Sequence, residues 1–231
     1  MLLLATAGLA ISGLAAPLAP SGLQAAGVEV SAYTGGQRAW LREDGCTGTA
    51  CDAWRADVLV GGEVAVTLVA PFGIYAHAAY VTETMDAALY AAEGYAAGAG
   101  ARFTIPMSRV LAVNAWVGVE HQLTANADLS ERASAWAVDA GATLRGGRAD
   151  EGVQAWIGVG VVPWSKNPAT VLDGDATLAL SARLPVEGVA GIMLASEPLF
   201  GPWNDRTRLA AGVSGTYGFR SGVTGFVTLL H

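Results

Sequence analysis

Between residues 109 and 164 the chain alternates apolar residues with small or polar ones. In RVLAVNAWVGVEHQL, residues 109–123, Leu111, Val113, Ala115, Val117 and Val119 share one parity. Ala112, Asn114, Trp116, Gly118, Glu120 and Gln122 share the other. Residues 133–145 set Trp136, Val138, Ala140, Ala142 and Leu144 against Asp139, Gly141, Thr143 and Arg145. Residues 151–162 set Val153, Ala155, Ile157, Val159 and Val161 against Gln154, Trp156, Gly158 and Gly160. A side-chain period of two is a β-strand with one apolar face. Each segment is longer than an ordinary globular strand of about 5–6 residues. Each is long enough for a tilted membrane-crossing strand, which needs roughly 9–11.

The same alternation recurs along the chain. It is found at 27–42, 55–70, 74–84, 93–105, 176–184, 189–196, 207–219 and 222–231, with Pro185–Gly188 as a turn. With the three above, this gives eleven segments. The links between them alternate roughly long and short, as in an up-and-down meander whose two rims differ. An odd meander would leave its first and last strands parallel, and single-chain bacterial barrels have even strand numbers. A split at Gly35–Gly36 or Gly61–Gly62 in one of the first two segments restores parity with twelve. Ten follows if the first segment and its neighbour merge into a rim structure. The expected fold is all-β: an antiparallel up-and-down transmembrane β-barrel of about twelve strands, in the range of roughly 10–12.

Composition agrees. The 231 residues are 52% hydrophobic, yet that hydrophobicity is spread as alternation, much of it in Ala and Val. Beyond the N-terminus no apolar run reaches the roughly 18 residues of a spanning helix. Glycine is abundant at 30 residues, and Lys166 is the only lysine. A formal net charge of −7 excludes a nucleic-acid partner, which needs a basic footprint.

Residues 1–26 are uncharged, with an apolar stretch at 2–16 and small residues around Ala25 and Ala26. They are expected to be a cleaved signal peptide, although no Lys or Arg forms an n-region. Residues 27–231 are then the barrel. Cys46 and Cys51 in GCTGTAC are expected to form a loop disulfide in an exported protein. A zinc site would need two further ligands, and none is evident.

The export-like N-terminus, the dyad repeats and the final SGVTGFVTLLH resemble a small, porin-like bacterial outer-membrane β-barrel protein. The resemblance covers essentially the whole mature chain. It implies a Gram-negative outer membrane, a lipid bilayer as surroundings and the barrel-assembly machinery as a partner during biogenesis. In that family the last strand commonly ends in alternating apolar residues and a terminal aromatic. Here Val223, Gly225, Val227 and Leu229 alternate, but His231 stands where the aromatic would be.

If the apolar parities face lipid, the other parities line a lumen. The lumen-lining candidates are Glu29, Glu63, His77, Arg102, Glu120, Asp139, Arg145, Arg183 and Arg208. Four carboxylates face four guanidiniums, a balanced set suited to a salt-bridged interior, narrow or plugged, or to passage of small solutes. Trp116 and Trp156 fall on the lumen parity. Trp40, Trp54, Trp164 and Trp203, near segment ends, suit an interfacial girdle. The leading function is a small pore or a structural membrane protein, without cofactor. One alternative is an outer-membrane enzyme acting on lipid or peptide at a rim. His77, beside Tyr75 and Glu83 on its parity, and His121 lack an adjacent nucleophile arrangement for that role. A second alternative is a soluble secreted β-sandwich binder, whose apolar faces would meet in one core. Carboxylates and histidines gathered at one rim would favour the enzyme; a scatter along the lumen would oppose it.

Overall fold

The computed structural model describes residues 27–42, 52–85, 90–126, 131–148, 152–166, 186–199, 207–218 and 220–231. Among these residues ten strands form the wall. They are β1 (Gly27–Arg42), β2 (Asp52–Val69), β3 (Phe72–Met85), β4 (Tyr90–Pro106), β5 (Leu111–Asn126), β6 (Glu131–Gly146), β7 (Gly152–Lys166), β8 (Val186–Ala195), β9 (Arg208–Gly218) and β10 (Arg220–Leu230). Each pairs antiparallel with its sequence neighbours, and β1 pairs with β10, so the sheet closes on itself. Closure leaves no unpaired edge.

The strand number is ten rather than about twelve, because neither glycine pair breaks its strand. Gly35 and Gly36 pair with Leu59 and Val58 in mid-ladder, and Gly61 and Gly62 pair with Tyr33 and Ala32. Nor do the first two segments merge into a rim structure. They form two long, fully paired strands. The expected segment at 176–184, with Arg183, lies outside the described residues. The wall closes without it, since β7 pairs directly with β8 from Gly152↔Ala195 to Val161↔Val186.

An even count puts the start of β1 and the end of β10 at one rim, the terminal rim. The Val28 N–H donates to the His231 carbonyl at 2.8 Å, and the His231 N–H donates back at 2.9 Å. Strands β2, β4, β6 and β8 end at this terminal rim, and β1, β3, β5, β7 and β9 end at the opposite rim.

The alternation sorts cleanly. Val58, Val60, Val64, Ile74, Val117, Val119, Ile157, Val159, Ile192, Leu194, Val213 and Val227 are exposed on the outside. Inside lie the buried polar and aromatic residues. An apolar exterior around a polar interior is the inverse of a soluble barrel. It is the construction of an outer-membrane β-barrel. It also removes the β-sandwich alternative, whose apolar faces would meet each other.

Space inside is made by pairing large residues with none. Six inward rings face a glycine directly across the ladder. The pairs are Tyr33/Gly61, Tyr75/Gly100, His77/Gly98, Trp116/Gly141, Trp156/Gly191 and Phe226/Gly212. A Cβ on any of these glycines would run into the ring. It would lie 2.6 Å from His77 Cε1 at Gly98 and 2.7 Å from Phe226 Cζ at Gly212. The glycines are sockets that let each ring lie flat along the wall.

Candidate functional site in the barrel interior

Register, more than local sequence, assembles the interior. Reading across the ladder, Glu63 on β2 faces His77 on β3, His77 faces Gly98 on β4, and Gly98 faces Glu120 on β5. Because Gly98 has no side chain, the imidazole reaches over it. His77 Nε2 lies 3.7 Å from Glu120 Oε2. His77 is thus set between two carboxylates from strands on either side.

Toward the terminal rim, Arg102 Nη1 donates to Glu29 Oε2 at 2.7 Å, joining β4 to β1 across the interior. Such a buried pair holds its geometry because separating it would leave a bare charge in a poorly solvated site. Trp116 Nε1 donates to Asp139 Oδ1 at 3.1 Å, tying β5 to β6. Thr104 Oγ1 donates to Asn114 Oδ1 at 2.9 Å. Arg145 Nη1 approaches Gln154 Oε1 at 3.4 Å. At the β1–β10 seam the Ser31 and Thr228 hydroxyls share a hydrogen bond of 2.7 Å.

Of the lumen candidates, Glu29, Glu63, His77, Arg102, Glu120, Asp139 and Arg145 are buried within the barrel. Arg208 is half-buried at the start of β9. Arg183 lies outside the described residues, as do Cys46, Cys51 and Trp203. Trp116 and Trp156 are interior residues, each 5% exposed. Trp136 is on the outside, where its ring lies 4.3 Å from that of His121. Tyr80 and Tyr95 face each other on the same exterior, and the Tyr80 hydroxyl donates to Glu93.

One charged residue escaped the sequence reading. Glu187 is buried on the inner face of β8. That strand begins at Val186, so residues placed in a turn belong to the wall. Among the described residues the interior therefore holds five carboxylates (Glu29, Glu63, Glu120, Asp139 and Glu187) against three guanidiniums (Arg102, Arg145 and Arg208). Arg183, the fourth base of the expected balance, lies outside the described residues. The charges are also scattered along the depth. Arg145 sits beside the end of β6, whereas Glu120 lies deep within β5. Among the described residues no group of three His, Cys, Asp or Glu is arranged to hold a metal ion.

Comparison with known proteins adds little. No protein-family model matches the chain, and no curated protein matches it. Among solved structures it is similar to the translocator domain of the autotransporter NalP from Neisseria meningitidis. The two are 12% identical over 89% of this chain and 88% of that one, with a TM-score of 0.42. It is also similar to Pseudomonas aeruginosa OccK2 (OpdF), whose structure is a complex with glucuronate. There the identity is 8% over 91% of this chain and 98% of that one, with a TM-score of 0.23. Pseudomonas aeruginosa OccK11 (OpdR) is 7% identical over 93% and 97% of the two chains, with a TM-score of 0.21. Likenesses at this distance assign no role to any residue.

Proposed function

We propose that the chain is an integral outer-membrane β-barrel whose narrow, water-bearing interior passes small ions and excludes larger solutes. The observation that carries this reading is a set of buried donors. Arg102 Nε and Nη2, Asn114 Nδ2 and His77 Nδ1 are buried in the interior with no hydrogen-bond partner among the described residues. Buried nitrogens of this kind are satisfied by water, which supports a hydrated path. The near-complete burial of Gln122, Arg145 and Gln154 keeps that path thin. A second reading, a purely structural barrel sealed by its own side chains, is favoured by that same burial. The scatter of carboxylates and His77 along the depth supports passage over a catalytic centre at one rim.

In this reading residues 1–26 are a cleaved export signal, Cys46 and Cys51 form a disulfide, and the barrel-assembly machinery inserts the mature chain. The terminal rim faces the periplasm, because the two strand ends separated by the longest stretch of sequence, Lys166 of β7 and Val186 of β8, are at the opposite rim, and such barrels carry their longer connections outside.

The test is gel mobility of boiled and unboiled protein extracted from membranes in mild detergent, followed by conductance in planar bilayers. A heat-modifiable band with small, discrete conductance steps is expected. Protein in the soluble fraction with no mobility shift would overturn the membrane barrel. A folded, inserted barrel without conductance would leave the structural reading in place of the pore.

A further inference from the structure

We infer that the interior is electrically polar along the barrel axis, and that this makes the pathway cation-preferring and rectifying. The inference rests on the ion-passing reading above and names the ion class and the direction of easy flow. Depth can be judged from each strand's end at the terminal rim. Arg208 opens β9, Arg145 is one residue from the end of β6 at Gly146, and Arg102 lies close to the end of β4 at Pro106. Among the described residues Glu29, near the start of β1, is the single interior carboxylate at this level. Arg109 and Arg148 stand exposed in the rim turns that follow β4 and β6, with Glu197 on the link after β8. Farther from this rim lie Glu63, Asp139 and Glu120, each well inside its strand, and Glu187, the second residue of β8 at its far end, with His77 between Glu63 and Glu120. Among the described side chains the sequence of charge is therefore three guanidiniums against one carboxylate, then four carboxylates against one imidazole.

Rings of like charge in a narrow, low-dielectric path concentrate the opposite ion and exclude their own sign. Two rings of opposite sign in series act as a junction. When the bath at the opposite rim is positive, cations enter through the acidic belt while anions enter through the basic mouth, and both fill the path. Reversing the voltage empties it of both. Among the described residues the acidic belt holds the larger excess; the Tyr75 hydroxyl lies over Gly118, opposite Asp139, and Trp116 donates to Asp139, so this belt sets the overall preference for cations.

The experiment uses the purified full barrel in planar bilayers with potassium chloride as the only electrolyte. An asymmetric single-channel current–voltage curve is expected. In a salt gradient the reversal potential should be displaced toward the potassium equilibrium potential. Raising the salt from about 0.1 M to about 1 M shortens the Debye length from roughly 10 to roughly 3 Å and should flatten the asymmetry. Asymmetry arising from shape alone would persist. The double variant Glu63→Gln/Glu120→Gln should straighten the curve and move the reversal potential toward zero. Arg145→Gln should also straighten the curve while keeping the cation preference. If the double variant gives no heat-modifiable band, Asp139→Asn serves for the same reading. Open channels with a symmetric wild-type curve, or a reversal potential at zero or toward chloride, overturn the inference and leave the pore standing. An inserted barrel that never conducts overturns both.

Discussion

The pairing of rings with glycines makes a quantitative prediction at Trp156 and Gly191. Trp156 is 5% exposed, and its ring lies 6.2 Å from that of Phe226. The three atoms nearest to a Cβ built on Gly191 all belong to the Trp156 indole, with Nε1 at 2.8 Å. Truncating a buried tryptophan to alanine costs about 3–5 kcal/mol, so Trp156→Ala should destabilise the barrel by that order. Gly191→Ala forces the indole away and should cost about 1–3 kcal/mol, as overpacking does. In the Trp156→Ala background the obstacle is gone. Alanine is then better than glycine within a strand by roughly 0.5–1 kcal/mol, so the sign of Gly191→Ala should reverse. The coupling between the two sites should therefore be about 1.5–4 kcal/mol. Equilibrium urea unfolding of the barrel in lipid vesicles, followed by far-ultraviolet circular dichroism, measures it. Additivity within about 0.5 kcal/mol would falsify the socket account. The Trp116/Gly141 pair supplies the contrast. A Cβ on Gly141 would also lie 2.6 Å from the Val159 carbonyl oxygen, so Gly141→Ala should stay destabilising even beside Trp116→Ala.

Other perturbations test other parts of the wall. Val159, 55% exposed near the middle of β7, should lose about 2–4 kcal/mol on Val159→Arg if it faces the bilayer midplane; an unchanged unfolding midpoint in vesicles would argue against lipid there. Glu29→Ala leaves Arg102 buried without its carboxylate and should cost about 3–5 kcal/mol, whereas Glu29→Leu/Arg102→Met should recover most of it. Equal losses in the single and double variants would count against the pair. Deleting His231 removes two backbone bonds to Val28 and a 2.8 Å contact with Thr207. At about 1 kcal/mol per bond it should lower the refolded fraction on a gel, and an unchanged fraction would mean the seam holds without it.

How much of this was legible depends on what each sequence signal encodes. Alternation encodes the face, and it placed Glu63, Glu120, Asp139 and Arg145 inside because parity survives along a strand. Counting strands was harder. The glycine pairs in β1 and β2 look like turn signals, since glycine permits positive φ. In the barrel, however, Gly61 is there because Tyr33 lies on it. A glycine needed for space and a glycine needed for a turn are the same letter. The reverse error arose at Glu187, where Pro185 and Gly188 suggested a turn although the chain had already entered β8.

Pairs across the barrel were not legible at all, and the reason is register. His77 and Glu120 are far apart in sequence and not even on adjacent strands. They meet because two hairpins bring Gly98 between them. A shift of one residue in either ladder would turn His77 or Glu120 out toward lipid. A shift of two would put Ala96 or Gly100 between them in place of Gly98. The same ladders seat the six rings on their glycines, and any slip would drive a ring against a Cβ or leave a socket empty. The packing that makes the interior narrow is therefore also what holds its charges at their depths. Weakening a socket should change ion passage as well as stability, because the rings and the acidic belt share one register.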